Sequence, residues 1–389
     1  MSEAYDLFAG AGGWDVAAER LGIRSYGVEN MKAARETRDA AGLRTIHDDV
    51  WTFDTTFPIR VDGLIASPPC QTFSVAGSGS GRRALDDVLT AVKEERFSSL
   101  DELRSFGEKV GDDRTALVLT PLAYAHLAFP KWIAWEQVPT VLPVWEACAE
   151  VLSSWGYSTW TGNLQAEQYG VPQTRKRAFL LASMDREVGK PVPTHSKYYP
   201  RSPTKLDEGV QKWVSMAEAL GVHEQFSVIS NYGTGGDASA RGRRRGNEPA
   251  ATVTPKIGRN KVVFCGAGAT SELTAGQVPR TPDQPAHTIT GKGTAYWREP
   301  LPEWSYNRPS TTIVGSFKPE IVAAPGYRTT VSRQNAPDSV RVTVQEAGIL
   351  QSFPADYPWQ GAKGKQYLQV GNAVPPLLAE AVLREVTGL

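Results

Sequence analysis

The sequence predicts an α/β fold, an open parallel sheet flanked by helices, with a smaller β-rich unit inserted late in the chain. Three observations predict it. Over the first 184 residues short apolar runs alternate with amphipathic helical stretches, the pattern of strand–helix–strand units. The turns that end successive apolar runs carry glycines, an acid, a second acid and then a cysteine. From about residue 186 to 335 long helical patterns fade while Pro, Gly, Thr and Arg rise, after which helical patterning returns.

The bounds agree with one catalytic-sized chain. A length of 389 residues allows roughly two domains, or one large domain with an insertion, and 41% hydrophobic residues is ample for a core. Lys+Arg and Asp+Glu both number 42, so the net charge is zero. That balance neither announces a nucleic-acid binder nor excludes one, because charge can be segregated locally. Three cysteines, Cys70, Cys148 and Cys265, point to a reducing compartment, and with five scattered histidines they give no metal signature. The start lacks a basic leader and no apolar run reaches membrane-spanning length, so a soluble, intracellular protein is expected.

The elements follow in order. Asp6-Leu7-Phe8-Ala9-Gly10-Ala11-Gly12-Gly13-Trp14 reads as a short strand, a glycine turn and a helix running to Leu21 and stopped by Gly22. The Gly10-x-Gly12 spacing lacks the third glycine of a dinucleotide fingerprint. Ile23 to Glu29 is the second strand, ending in an acid, the usual acceptor for ribose hydroxyls. A third strand at Thr45-Ile46-His47 leads to Asp48-Asp49-Val50, where a carboxylate can accept from an adenine amine. Together these turns outline a nucleoside site. Val61 to Ala66 is a buried strand feeding Ser67-Pro68-Pro69-Cys70-Gln71, where two prolines stiffen the turn and aim the cysteine.

Val75 to Arg83 is glycine-serine rich and basic, a flexible stretch, and residues 84–110 read as an inserted helix or two. Ala116 to Tyr124 reads as one buried helix and Pro130 to Val138 as a strand ending in Glu136. Val141 to Leu152 is a helix, Gly156 to Trp160 a strand, and Ala178 to Ala182 a strand preceded by Gln173-Thr174-Arg175-Lys176-Arg177. Alternation sets Arg175 and Arg177 on one side of that segment. Farther on, Arg241 to Gly246 is the strongest basic run, and Pro-Thr strand units recur unevenly near 249, 285 and 309. Thr343 followed by Glu346 fits a capping box opening a helix, and Tyr367 to Pro376 precedes a final helix over Leu377 to Val386.

Asp6 to Gly13, Pro68-Pro69-Cys70-Gln71 with Phe73-Ser74, Glu136-Gln137-Val138, Gln173-x-Arg175-x-Arg177 and Gln369-Val370-Gly371-Asn372-Ala373, in this order, resemble the DNA cytosine-5 methyltransferases of bacteria and phages. The resemblance covers 1–184 and 336–389 by motif and the middle by position. It implies a Rossmann-like methyltransferase sheet in residues 1–185, with a catalytic-loop insertion at about 78–112. It further implies a target recognition domain in 186–335 and a C-terminal return in 336–389 that completes the catalytic domain.

The activity it implies is methyl transfer from S-adenosylmethionine to C5 of a flipped cytosine in duplex DNA, through a covalent adduct between Cys70 and C6. Cys70, Glu136, Arg175 and Arg177 fall on the catalytic positions, Glu136 facing N3 of the base and Arg177 its carbonyl oxygen. Phe8, Ala9, Gly10, Gly12, Gly13, Glu29, Asn30, Asp49, Val50, Pro69, Asn372 and Ala373 fall on cofactor positions. Gln71, Ser74, Arg82, Arg83, Arg243, Arg244 and Arg245 are the expected DNA contacts. The chain departs from the family pattern at Gln137 and Gln165, where asparagine is usual. The resemblance also implies a monomer in a bacterial cytoplasm or phage-infected host, with a cognate restriction endonuclease as a separately acting companion. A transfer-RNA cytosine methyltransferase and a catalytically idle relative are the alternatives, and a nicotinamide dehydrogenase has no use for Pro-Pro-Cys-Gln.

Overall fold

The computed structural model describes residues 2–53, 61–69, 79–111, 113–199, 201–202, 204–222, 226–229, 243–253, 261–264 and 339–389. Only the backbone is described at 79–83, 113–114, 226–229, 243, 261–264 and 339–341. The chain opens with β1 (Glu3–Leu7), α1 (Gly13–Arg20), β2 (Arg24–Val28), α2 (Lys32–Ala40), β3 (Thr45–His47) and β4 (Gly63–Ala66). Four helices follow, α3 (Gly79–Lys93), α4 (Leu100–Val110), α5 (Asp113–Leu117) and α6 (Thr120–Ala128). Then come β5 (Trp132–Gln137), α7 (Leu142–Ser154), β6 (Ser158–Gln165), β7 (Gln173–Thr174) and β8 (Lys176–Ser183). The later part holds α8 (Met216–Leu220), β9 (Phe226–Ile229), β10 (Arg243–Arg245), β11 (Ala250–Ala251), β12 (Lys261–Phe264) and β13 (Ser339–Arg341). It ends with α9 (Val344–Leu350), α10 (Lys363–Asn372) and α11 (Pro376–Thr387).

A seven-stranded sheet in the order β3-β2-β1-β4-β5-β8-β6 is the centre of the fold. The first five are parallel, and β8 runs antiparallel to both β5 and β6. Successive strands move outward from β1 through β2 to β3, and the chain then crosses back to place β4 on the other side of β1. The order therefore reverses between β1 and β4, and ligands of open α/β sheets bind outside the carboxyl ends of strands at such a point. The Phe8–Gly13 turn and the Ser67-Pro68-Pro69 turn leave those two ends.

Both faces of the sheet are covered, as a parallel sheet requires. Leu64, Ile133, Trp135 and Leu180 face a core that includes Leu103, Leu119, Leu122, Trp145 and Leu152. Ile65, Ala134, Phe179 and Leu181 face Trp14, Ala18, Leu378, Val382 and Leu383 of α1 and α11. All six residues of β5 are buried. A four-stranded antiparallel sheet, β10-β9-β12-β13, is the smaller β-rich unit, and β11 pairs with β7 in a separate two-stranded parallel sheet.

Four local differences from expectation have physical causes. The 84–110 insertion is two helices, and the first begins at Gly79, inside the stretch read as flexible. The single helix over Ala116 to Tyr124 is two, because Pro121 cannot donate its backbone nitrogen and so sits in the first turn of a new helix. β6 runs to Gln165 through a full-length pairing with β8. Ser339–Arg341 pairs with β12 and so joins the small sheet. The capping box is present as expected: Glu346 N–H donates to Thr343 Oγ1 at 3.2 Å, and Thr343 N–H to Glu346 Oε2 at 2.7 Å.

Candidate active site

The first wall of the site is the turn after β1. Phe8, Gly10 and Gly12 have φ of 63°, 55° and 97°, so three residues in five adopt the left-handed conformation. In Phe8, a residue with a Cβ, this conformation costs about 1 kcal/mol, a strain that concentrates at functional sites. A Cβ on Gly10 would meet nothing within 4 Å, so the turn has open space there. A Cβ on Gly13 would lie 2.1 Å from the Val374 carbonyl oxygen. The C-terminal segment thus presses its backbone where a side chain would otherwise stand. Ala373, one residue earlier, is buried, while Asn372 is exposed.

Glu29 joins the turns after β1 and β2. It is buried, and its carboxylate accepts the Gly10 N–H at 2.8 Å and the Met31 N–H at 2.6 Å. Asp49 Oδ1 accepts the Trp51 N–H at 2.9 Å, shaping the turn after β3, where Val50 is buried. Asn30 is exposed. Behind the first turn, Arg38 makes a bidentate pair with Asp15 at 2.6 and 2.9 Å and donates to Thr45 Oγ1 at 2.9 Å, all of it buried. Asp6 of β1 lies nearby and is fully buried. Desolvation and the Asp15 charge push it well above the ordinary carboxylate range, against the opposing pull of Arg38.

The second wall is the turn after β4 with the end of β5. Ser67 N–H donates to the Leu7 carbonyl at 3.2 Å, and Trp14 Nε1 donates to Ser67 Oγ at 2.9 Å, so this turn is fixed to the first. Gln137 Nε2 donates to the Pro68 carbonyl at 2.5 Å, and its Oε1 accepts the Val138 N–H. The longer side chain found where asparagine is usual therefore reaches the proline turn and staples it to β5. Pro69 is the last described residue there. Cys70, Gln71 and Ser74 lie outside the described residues, and Arg82 and Arg83 are described only as backbone of α3.

Glu136 is buried beside this turn, 2.9 Å from Arg177 Nε in an ion pair. That nitrogen approaches Oε1, which has no well-aligned hydrogen bond among the described residues. Burial raises its pKa above the carboxylate norm, with Arg177, Arg175 and the Ser67 hydroxyl opposing. Arg177 thus pairs with the acid, and its Nη1 also donates to the Lys176 carbonyl at 2.7 Å.

Arg175, expected on a catalytic position, lies within electrostatic reach of Glu136. It is buried, and its Nη1 donates to the carbonyls of Val253 and Gly371, both at 3.1 Å. Two main-chain carbonyls from distant segments orient the guanidinium. Arg244 is an expected DNA contact. Its half-buried guanidinium lies 4.9 Å from the Tyr198 ring centroid and donates to Thr174 Oγ1 at 3.3 Å. Arg245 is exposed, and Arg243 is described only as backbone of β10.

Two further residues were not anticipated. Gln173 is fully buried, accepts the Val253 N–H at 2.7 Å, and donates to the Leu350 carbonyl at 2.9 Å and to Gln351 Oε1. Gln351, also fully buried, donates to the carbonyls of Val370 at 2.6 Å and Ala373 at 3.3 Å. The pair clasps β7, the segment after β11, the end of α9 and the C-terminal segment. Gln173 was marked only by its place in the Gln-x-Arg-x-Arg spacing, and Gln351 had no local signal.

Comparisons with known proteins agree with this geometry. The family described as C-5 cytosine-specific DNA methylase matches residues 3–92 and 97–388. The chain is 25% identical to the type II methyltransferase M.DdeI of Desulfomicrobium norvegicum, over 98% of this chain and 88% of that protein. It is likewise 25% identical to the type II methyltransferase M1.HphI of Haemophilus parahaemolyticus, over 99% and 87%. In fold it is similar to the Entamoeba histolytica methyltransferase EhMeth, with a TM-score of 0.53 at 14% identity, covering 99% of this chain and 97% of that one. The S. pombe Dnmt2 methyltransferase gives 0.52 at 14% identity, again over 99% and 97%. With the switch-point crevice, the Ser67-Pro68-Pro69 turn and the buried acid in place, the family match over nearly the whole length decides the assignment: the chain belongs to the C-5 cytosine-specific DNA methylases, S-adenosylmethionine-dependent enzymes.

Proposed function

We propose that this chain methylates C5 of a cytosine rotated out of a specific duplex DNA sequence, through an adduct between Cys70 and C6 of the base. The observation that carries the reading is Glu136, a buried acid with a raised pKa, paired with Arg177, whose Oε1 has no well-aligned hydrogen bond among the described residues. It stands one residue before Gln137, whose amide holds the Pro68 carbonyl, two residues from Cys70. Protonated Glu136 donates to N3 of the cytosine and draws electron density from C6, where the Cys70 thiolate attacks. A free thiol has a pKa of about 8.5, so a general base or nearby positive charge must favour the thiolate. Arg177 holds the Glu136 side chain and meets the base carbonyl. After methylation the C5 proton departs and the Cys70–C6 bond breaks, which restores the aromatic ring.

The residues at the switch point fit S-adenosylmethionine. Open space over Gly10 adjoins the fixed Glu29 carboxylate, and the Asp49–Val50 turn lies on the same edge of the sheet. Glu29 would receive the ribose hydroxyls, Asp49 the adenine amine, and Phe8 and Ala373 would line the pocket. The bound cofactor supplies an electrophilic methyl group on its sulfonium. The small sheet with its exposed Arg245 is read as the recognition domain. The type II methyltransferase names of the relatives support a place in restriction–modification.

The test is nucleoside mass spectrometry of duplex DNA incubated with S-adenosylmethionine and either the wild-type protein or Cys70→Ala. The expected result is 5-methylcytosine with the wild type alone. Unmodified cytosine across a wide range of duplex sequences would overturn the reading.

A further inference from the structure

The two-helix insertion, α3 and α4, has no part in the chemistry above, yet it begins nine residues after Cys70 and touches the opposite wall of the crevice. We propose that Arg104 of α4 is a positioning residue for the cofactor, acting through Trp51 on the Asp49–Val50 turn. The proposal rests on the reading of that turn as the adenine side of the site.

The segment after β3 has little regular structure of its own, so side chains set its shape. Asp49 caps the Trp51 N–H from within. Tyr124 of α6 donates its hydroxyl to the carbonyls of Val50 at 2.6 Å and Phe53 at 3.1 Å. Between those two carbonyls stands that of Trp51, and Arg104 Nη2 donates to it at 3.3 Å. The same guanidinium lies 5.6 Å from the centroid of the Trp51 ring, within cation–π range. Arg104 therefore holds both the backbone and the ring of Trp51.

The helix that presents Arg104 is well fixed. The Ser99 side chain caps its start by accepting the Glu102 N–H, and Leu103 is fully buried in the core. Arg104 itself is exposed, so removing it leaves that core intact. An exposed arginine usually contributes little to stability. Here its partners belong to the turn whose shape fixes Asp49 and Val50, so its effect should fall on ligand affinity.

The experiment is isothermal titration of S-adenosylhomocysteine into wild-type protein, Arg104→Ala, Arg104→Lys and Lys109→Ala, with steady-state methylation alongside. Lys109 lies on the same helix and is exposed. Arg104→Ala should raise the Kd about five-fold, the size of one cation–π contact and one hydrogen bond only partly transmitted to the ligand. It should leave kcat at saturating cofactor and KM for DNA unchanged. Arg104→Lys should recover part of the affinity, and Lys109→Ala should match wild type. An unchanged Kd in Arg104→Ala overturns the proposal, and so does an equal loss in Lys109→Ala, which would point to the charge of the insertion as a whole. A wild-type protein that binds no S-adenosylhomocysteine would instead sink the underlying cofactor reading and the proposal with it.

Discussion

Glu29 and Glu136 are both buried glutamates at the carboxyl ends of parallel strands, on either side of the point where strand order reverses. Glu29 follows β2 and has a backbone N–H on each oxygen, at 2.8 and 2.6 Å. Glu136 lies near the end of β5, with Arg177 Nε 2.9 Å from Oε1, no well-aligned hydrogen bond to that oxygen among the described residues, and a pKa raised by burial. The first arrangement shapes a cradle, because a carboxylate holding two amides fixes two turns at once. The second keeps a proton available, because a buried carboxyl without full hydrogen bonding favours its neutral form. On the proposed reading the same residue type serves binding in one place and proton transfer in the other, and what differs is the set of donors brought to it.

Replacing each glutamate by its amide breaks the comparison in different observables. The largest effect is expected for Glu136→Gln, which cannot deliver a proton to N3. kcat should fall about 10²- to 10⁴-fold, the usual range for a lost general acid, with S-adenosylhomocysteine affinity unchanged. In the wild type, the step that needs the protonated acid slows as pH rises through the raised Glu136 pKa, and the variant should lose that limb of its pH–rate profile. A loss of cofactor affinity equal to the loss of rate would erase the distinction between the two sites.

A smaller effect is expected for Glu29→Gln. Its NH₂ group would face a backbone N–H, leaving one donor unmatched at a cost of about 1–2 kcal/mol. The Kd for cofactor should rise about ten-fold, with kcat at saturation little changed, as titration calorimetry and initial rates would show.

The smallest functional effect belongs to Glu167, a buried acid between the large sheet and the segment carrying Lys197 and Arg244. Burial lifts its pKa to about 7, with those two cations opposing. Because the folded value exceeds the unfolded one, its favourable contribution is complete below the unfolded pKa, near 4.5, and is lost as pH rises through about 7. Glu167→Gln should therefore be more stable than wild type by about 2 kcal/mol at pH 8 and nearly equal at pH 4, with catalysis unaffected. Urea unfolding at the two pH values checks it.

How much of this was legible in the sequence depended on how local the cause was. β1, β2 and β4 announce themselves as apolar runs closed by glycine or proline turns, and Glu136 stands out as an acid ending such a run. Gln137, Gln173 and Gln351 do not, because a buried amide is defined by its partners, which lie 69, 177 and 19 residues away. α10 was missed for a related reason. Gly364 and Gly371 weaken its intrinsic preference, and the helix is held by burial of Tyr367 and Val370 and by the Tyr367 hydroxyl on the Val342 carbonyl. The setting of Arg244 was not legible, because a basic run carries no sign of the aromatic ring beside one member.

The close approach of Val374 to Gly13 has a consequence for synthesis. Ribosomes make the backbone that presses on the first turn some 360 residues after the turn itself. A nascent chain can pack β1 against β2 long before its first turn acquires this final neighbour. It follows that the cradle matures only after Val374 has been made, and that a product terminated before that residue carries an incomplete one, whatever the state of the rest of its sheet.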